Sequence, residues 1–168
     1  LKERISTLIR YSKELKFLVG FFYFSGISEL FDALKNNSEV KLKVLVGLNI
    51  DTTGYGLLVE CGNNDKMDNY QHRSVFIKSV VTSINRDEFD NPEFYEQAAF
   101  FIQMVLEDRL IIRKTREPNH AKLYLFNSKD EFEGLQAKCF ITGSSNLTRS
   151  GLSMQNELNV EISDHGTT

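Results

Sequence analysis

His120 and Lys122 stand one residue apart and lead into an apolar run at 123–126. Along an extended chain, side chains two apart leave the same face, so an imidazole and an ammonium would project together. Imidazole can act as nucleophile or general acid near neutral pH, and an ammonium beside it can neutralise a phosphate oxygen. Taken alone, H-x-K is a weak signal. It equally describes a surface histidine at a strand start with a lysine whose stem covers apolar surface. A second group is Gly143-Ser144-Ser145-Asn146, directly after a strand-like run at 137–142. Glycine permits a tight exit from the strand. Ser144 and Asn146 offer uncharged hydrogen-bond donors where α/β sheets usually hold ligands. The competing reading is a plain turn in which Asn146 caps a helix over 147–151. The third element is Glu157, eleven residues beyond Asn146. A carboxylate there can bind a histidine nitrogen and fix its tautomer, or it is only an exposed charge at a strand end.

Around these groups the charge is uneven. The chain of 168 residues has a net charge of -3, which excludes a uniformly basic nucleic-acid clamp. Arg109, Arg113, Lys114, Arg116 and Lys122 nevertheless lie close in sequence, opposed nearby by Glu117. Such a patch can hold phosphates, or it can be a solvated strand edge. Two cysteines, Cys61 and Cys139, are too few for a disulfide framework or a zinc site, and a reducing, cytoplasmic setting fits. No Asp/Glu/His cluster has metal-ligand spacing, so no metal or other cofactor is expected. No apolar run approaches the roughly 20 residues that span a bilayer, and no signal-peptide pattern is seen. The first residue is Leu1, which suggests a piece of a longer chain. Residues 1–164 are read as one domain and 165–168 as the start of a linker.

The elements that must position these residues can be read from periodicity. Residues 1–15 have helical spacing in Leu1, Ile5, Leu8 and Ile9. Residues 17–24 form an aromatic-rich run expected to be a strand buried on both faces. Ile27, Leu30, Phe31 and Leu34 mark a short helix closing near Asn36-Asn37, and 41–47 (KLKVLVG) is a second strand. Strand, helix, strand suggests a parallel pair with a crossover. Residues 51–71 read as loop with a helical turn at 57–60. Residues 72–85 read as a helix with Ile77, Val80, Val81 and Ile84 on one face. Asn91-Pro92-Glu93 starts another helix, as cap, first-turn proline and dipole partner, with Phe94, Ala98, Phe101, Ile102 and Val105 buried. Strands follow at 109–114, 120–126, 135–142 and 157–162, the middle two joined by a turn at 127–134. The fold class is α/β, a mixed, mostly parallel sheet flanked by helices on both faces. Tyr23, Ser25, Asn49 and Asp51 lie near strand ends and are weaker candidates to border the site.

Taken together, H-x-K, G-S-x-N and the following Glu resemble the phospholipase D superfamily, nuclease-like branch. The similarity is to small bacterial nucleases, metal-independent restriction endonucleases and the domain attached to some helicases. The opening FLVGFFYFS, helix and KLKVLVG also resemble the helicase-attached group. The resemblance implies that His120, Lys122, Asn146 and Glu157 are catalytic and that Lys122, Asn146 and Ser144 bind the substrate phosphate. The family site needs two facing H-x-K motifs, and His72 and His165 do not supply a second. A homodimer with its site on the two-fold axis is therefore implied. So is metal-independent hydrolysis of nucleic acid, DNA first, through a phosphohistidine, with a helicase domain C-terminal in the same chain. The alternative is a non-catalytic nucleic-acid-binding and dimerisation module. A lipid enzyme is disfavoured because those usually carry two motifs in one chain and often membrane segments. Two departures stand out. The family pattern H-x-K-x-x-x-x-D has Asn127 at its last position, and the stretch from Asn127 to Gly143 is longer than usual, consistent with an enlarged hairpin turn.

Overall fold

The computed structural model describes residues 1–47, 74, 77–78, 80–81, 91–132, 137–154 and 156–164. The expected turn at 57–60, Asn49 and Asp51 lie outside them. Helix α1 (Lys2–Tyr11) buries Ile5, Leu8 and Ile9. It stops four residues earlier than its spacing suggests. Ser12 turns extended (φ -98, ψ 143), and its Oγ donates to the Leu8 carbonyl at 2.7 Å. The apolar period then switches from helical to alternating. In β1 (Ser12–Val19), Leu15, Phe17 and Val19 are buried while Lys13 and Lys16 are exposed. The run at 17–24 is thus not one strand buried on both faces. β1 ends at Val19, and Phe24 already begins α2 (Phe24–Ser28).

Helix α3 (Phe31–Lys35) follows, then β2 (Lys41–Val46). The buried Asn37 amide donates to the carbonyls of Ile9 (2.7 Å) and Ser12 (2.8 Å), locking the end of α3 to the α1–β1 junction. Ser74, Ile77, Lys78, Val80 and Val81 are helical, with Val80 buried and Val81 exposed. Helix α4 (Pro92–Leu106) starts as its sequence indicates, with Asn91 Oδ1 accepting from Phe94 N at 2.8 Å. It buries Phe94, Ala98, Phe101, Met104 and Val105, and Ile102 is half-buried. The remaining strands are β3 (Leu110–Lys114), β4 (Leu123–Ser128), β5 (Lys138–Gly143) and β6 (Asn159–Asp164).

The six strands form one mixed sheet in the order β3-β2-β1-β4-β5-β6. β1–β2 and β2–β3 are parallel, and β1–β4, β4–β5 and β5–β6 are antiparallel. The expected parallel majority is therefore corrected. The hairpin connection from β4 to β5 suits antiparallel neighbours, whereas the parallel pairs need crossovers. One sheet face, with Phe17, Val44, Ile112, Tyr124, Phe126 and Ile141, shares a single core with the buried residues of α1 to α4 and with Val80. Phe17 meets Tyr124 and Phe126 edge-on, and Phe24 packs on Phe94 and Phe101. The opposite face carries Lys16, Leu18, Lys43, Leu45, Ile111 and Arg113, exposed or half-buried. Among the described residues the helices cover one face and not both.

The topology sets the site. β1, β2 and β3 run the same way and end together. β4 enters at that end, where Leu123 faces Leu18; β5 leaves there, and β6 starts there, with Gly143 opposite Asn159. The segments holding His120 and Lys122, Ser144 to Asn146, and Glu157 therefore gather at the carboxyl end of the parallel strands, where open α/β sheets hold ligands.

Candidate active site

His120 and Lys122 precede β4 rather than lying in it, and are placed by backbone contacts. Asn119 N donates to Gly47 O at 2.7 Å, and Asn119 Oδ1 accepts from Ala121 N at 2.7 Å. Gly47 is required there, since a Cβ on it would sit 1.9 Å from Asn119 O. The Lys122 carbonyl accepts from Thr142 Oγ1 at 2.9 Å, tying the segment to β5. The result is an exposed imidazole over a buried ammonium. Lys122 Nζ lies 2.8 Å from the His120 carbonyl and 2.9 and 3.0 Å from the two ring nitrogens. A ring nitrogen that carries no proton is the form a nucleophile needs. Burial pushes the Lys122 amine below its usual value, and the Glu157 charge partly offsets this.

Asn146 is not a helix cap through its side chain. Its Oδ1 accepts from Phe21 N at 3.1 Å, across 125 residues of chain. Thr148 caps the next turn instead, its Oγ1 accepting from Gly151 N at 3.0 Å ahead of the π-helical turn Ser150–Met154. Gly151 is also a close approach, since a Cβ would come within 2.6 Å of Asn146 O. The Phe21 ring stands edge-on to His120, with centroids 6.0 Å apart and planes at 83°. Asn146 therefore reaches the imidazole's surroundings through Phe21, two residues beyond β1. Phe21 was not among the sequence candidates. Its signal was its position two residues beyond a strand whose carboxyl end faces the site.

The two serines of the turn do different things. Ser144 is exposed, and its Oγ accepts from Leu158 N at 3.2 Å, fixing the backbone just after Glu157. Ser145 is fully buried. Its Oγ accepts from Asn159 Nδ2 at 2.9 Å, and its carbonyl accepts from Tyr124 Oη at 2.8 Å. Burial drives the Tyr124 hydroxyl well above its ordinary pKa, and the nearby Glu157 charge adds to this. Tyr124 is thus a fixed donor that holds the G-S-S-N turn from beneath. Glu157 precedes β6, half-buried, close enough for its charge to act on Lys122 and Tyr124. Among the described residues, the ring of His120 has Lys122 and not Glu157 as its hydrogen-bonding neighbour.

The remaining candidates divide. Tyr23 is half-buried and stacks on Phe21, with ring centroids 6.5 Å apart. The Ser25 carbonyl accepts from Ser28 Oγ within α2. The basic patch splits across the sheet. Arg109 lies before β3 and donates to the carbonyls of Val40 and Asn37 at 3.4 Å each, at the end opposite the site. Arg113 lies on the open sheet face, and Lys114 and the exposed Arg116 fall at the site end. Asn127 is also remote. Five residues along an extended strand put it about 16 Å from Lys122.

The described side chains can therefore present an imidazole next to an ammonium, with an amide and a carboxylate close by. That combination suits a negatively charged tetrahedral centre such as a phosphoryl group. A family model described as the PLD-like domain of cardiolipin synthase matches residues 5–168. No curated protein matches the chain. By the family-model match, the chain belongs to the PLD-like family of the phospholipase D superfamily, whose chemistry is directed at phosphodiesters.

Proposed function

We propose that this domain hydrolyses phosphodiester bonds of nucleic acid, DNA first, without a metal ion. The observation that carries the reading is the contact of Lys122 Nζ with His120 at the carboxyl end of the parallel strands. Because this chain has one H-x-K, the working site is the pairing of two copies about a two-fold axis. His120 of one copy attacks phosphorus, forming an N–P bond as the P–O bond to the leaving strand breaks. The partner copy's imidazole gives that oxygen its proton, then takes one from the water that cleaves the N–P bond. Lys122 and Asn146 from both copies hold the non-bridging oxygens while charge builds. Glu157 offsets the cost of burying the lysine charge. Lys114 and Arg116, at the same end, suit an approaching phosphate backbone. A helicase or restriction-type partner domain in a longer chain fits this role.

The test is a labelled DNA strand incubated with the protein in excess EDTA. Cleavage that His120→Ala abolishes supports the reading. Cleavage that appears only with added divalent cation argues against the metal-free route. Tight binding with no turnover, unchanged in His120→Ala, would assign the domain as a non-catalytic binding and dimerisation module. Turnover of phosphatidylglycerol with no action on DNA would assign it to lipid chemistry, as the description of the matched family suggests. Among the described residues no helix is long and apolar enough to cross a membrane.

A further inference from the structure

Beyond the catalytic groups, the segment after β1 carries an arrangement the reaction does not use. Its side chains keep alternating. Phe22 and Phe24 are 0% and 3% exposed in the core, while Phe21 and Tyr23 point the other way and stay half-buried. The two outward rings are stacked and nearly parallel, with planes 16° apart and centroids separated by 6.5 Å. The Phe21 and His120 rings meet at nearly a right angle. Tyr23 and Phe21 are therefore a parallel pair, and Phe21 in turn adjoins the imidazole of His120.

The pair is held rigidly. Phe21 N donates to Asn146 Oδ1, Tyr23 N donates to Leu147 O at 3.2 Å, and Phe22 bridges Leu147. Gly26 lies so close to Leu147 that a Cβ would meet its carbonyl at 2.1 Å. A flat surface on a fixed backbone costs little ordering when a ligand arrives.

We infer that Phe21 and Tyr23 form a stacking subsite for the nucleobase next to the scissile phosphate, which makes the protein prefer unpaired strands. The inference rests on the nucleic-acid reading of the same site. A flat, half-exposed aromatic face adjoining a phosphate-binding centre matches the two chemical parts of a nucleotide. Every base offers a π-face, so the subsite is tolerant of sequence. A base paired in a duplex is stacked on its neighbours and cannot offer that face without being unpaired. A glycerophospholipid headgroup has no flat ring to stack on the pair.

The test compares equilibrium binding in EDTA, in a His120→Ala background throughout so that no strand is cleaved and with Phe21 and Tyr23 first left wild-type, to three labelled ligands: a short single-stranded DNA, a phosphodiester strand of equal length with abasic sugars, and the corresponding duplex. The base-bearing single strand should bind about tenfold to hundredfold more tightly than the abasic strand, and more tightly than the duplex. In Phe21→Leu and Tyr23→Leu, which keep bulk but lose the flat face, the ratio should fall below about threefold. A ratio near one with Phe21 and Tyr23 wild-type, or a ratio that survives both substitutions, overturns the subsite while leaving the nucleic-acid reading intact. Failure to bind any of the three overturns that reading and the subsite with it.

Discussion

Asn127 donates its side-chain amide to Glu14 Oε2 at 3.0 Å, across the β1–β4 pairing and far from His120. Burial alone would raise the Glu14 carboxyl, but hydrogen bonds from Lys43 and Lys16 outweigh it and hold the group at about 2. Asn127 thus serves a charged cluster at the end of the sheet opposite His120 and Lys122.

Asn127→Asp, which restores the family residue, should therefore harm the protein. Two carboxylates would face each other where one donor now meets one acceptor. The expected loss is about 1–3 kcal/mol of stability near pH 7, with no gain in activity. The penalty requires both groups ionised, so it should shrink as pH falls and one of them takes a proton. Denaturant melts at pH 7 and pH 4 check both statements.

Lys122 predicts a second pH effect of opposite sense. Its folded pKa lies below the ordinary 10.5, so between the two values the unfolded chain binds more protons. Stability should then rise with pH through that window. Phosphodiester turnover should fall over the same range as the ammonium is lost. Lys122→Met should flatten the stability slope and lower turnover by about a hundredfold or more. An unchanged slope in the variant would assign the effect to another group.

Tyr124 offers a test of positioning without touching substrate. Tyr124→Phe leaves the Ser145 carbonyl without its buried donor, at a cost of about 1–3 kcal/mol. If the hydroxyl sets the G-S-S-N turn, kcat should drop about tenfold with little change in KM. A loss of stability with kcat unchanged would restrict Tyr124 to the core.

Gly47 is the backbone contact that seats the H-x-K segment. In Gly47→Ala the new methyl would overlap Asn119 O, so β2 or the segment must shift. The expected cost is about 1–3 kcal/mol, with a larger relative loss of turnover than in a core substitution of equal stability cost. Parallel melts and rate measurements on Gly47→Ala and Ile141→Val make the comparison.

What the sequence showed and hid follows from the range of each interaction. Alternating strands, the Asn91 cap and the β4–β5 hairpin are local patterns, and they are legible along the chain. The α1–β1 boundary was missed because Leu15 satisfies a helical spacing from Leu8 as well as an alternating one with Phe17. Contact of His120 with Lys122 follows from adjacent residues. The tie between Asn146 and Phe21 joins distant segments through a backbone N–H, which leaves no mark on residue type. Ser144 and Ser145 look interchangeable in sequence, yet the turn exposes one and buries the other. The basic cluster dissolved because β3 carries Arg109 and Lys114, at its two ends, about 16 Å apart.

The most direct measurement is to capture the covalent intermediate. The protein is mixed with a DNA strand labelled in its sugar–phosphate backbone, in EDTA, quenched within milliseconds into alkaline denaturant, and its peptides are weighed. The expected result is a phosphoryl-linked nucleotide adduct on the imidazole of His120, absent in His120→Ala. Steady cleavage by the wild type with His120 unmodified at every quench time would contradict nucleophilic attack by this residue.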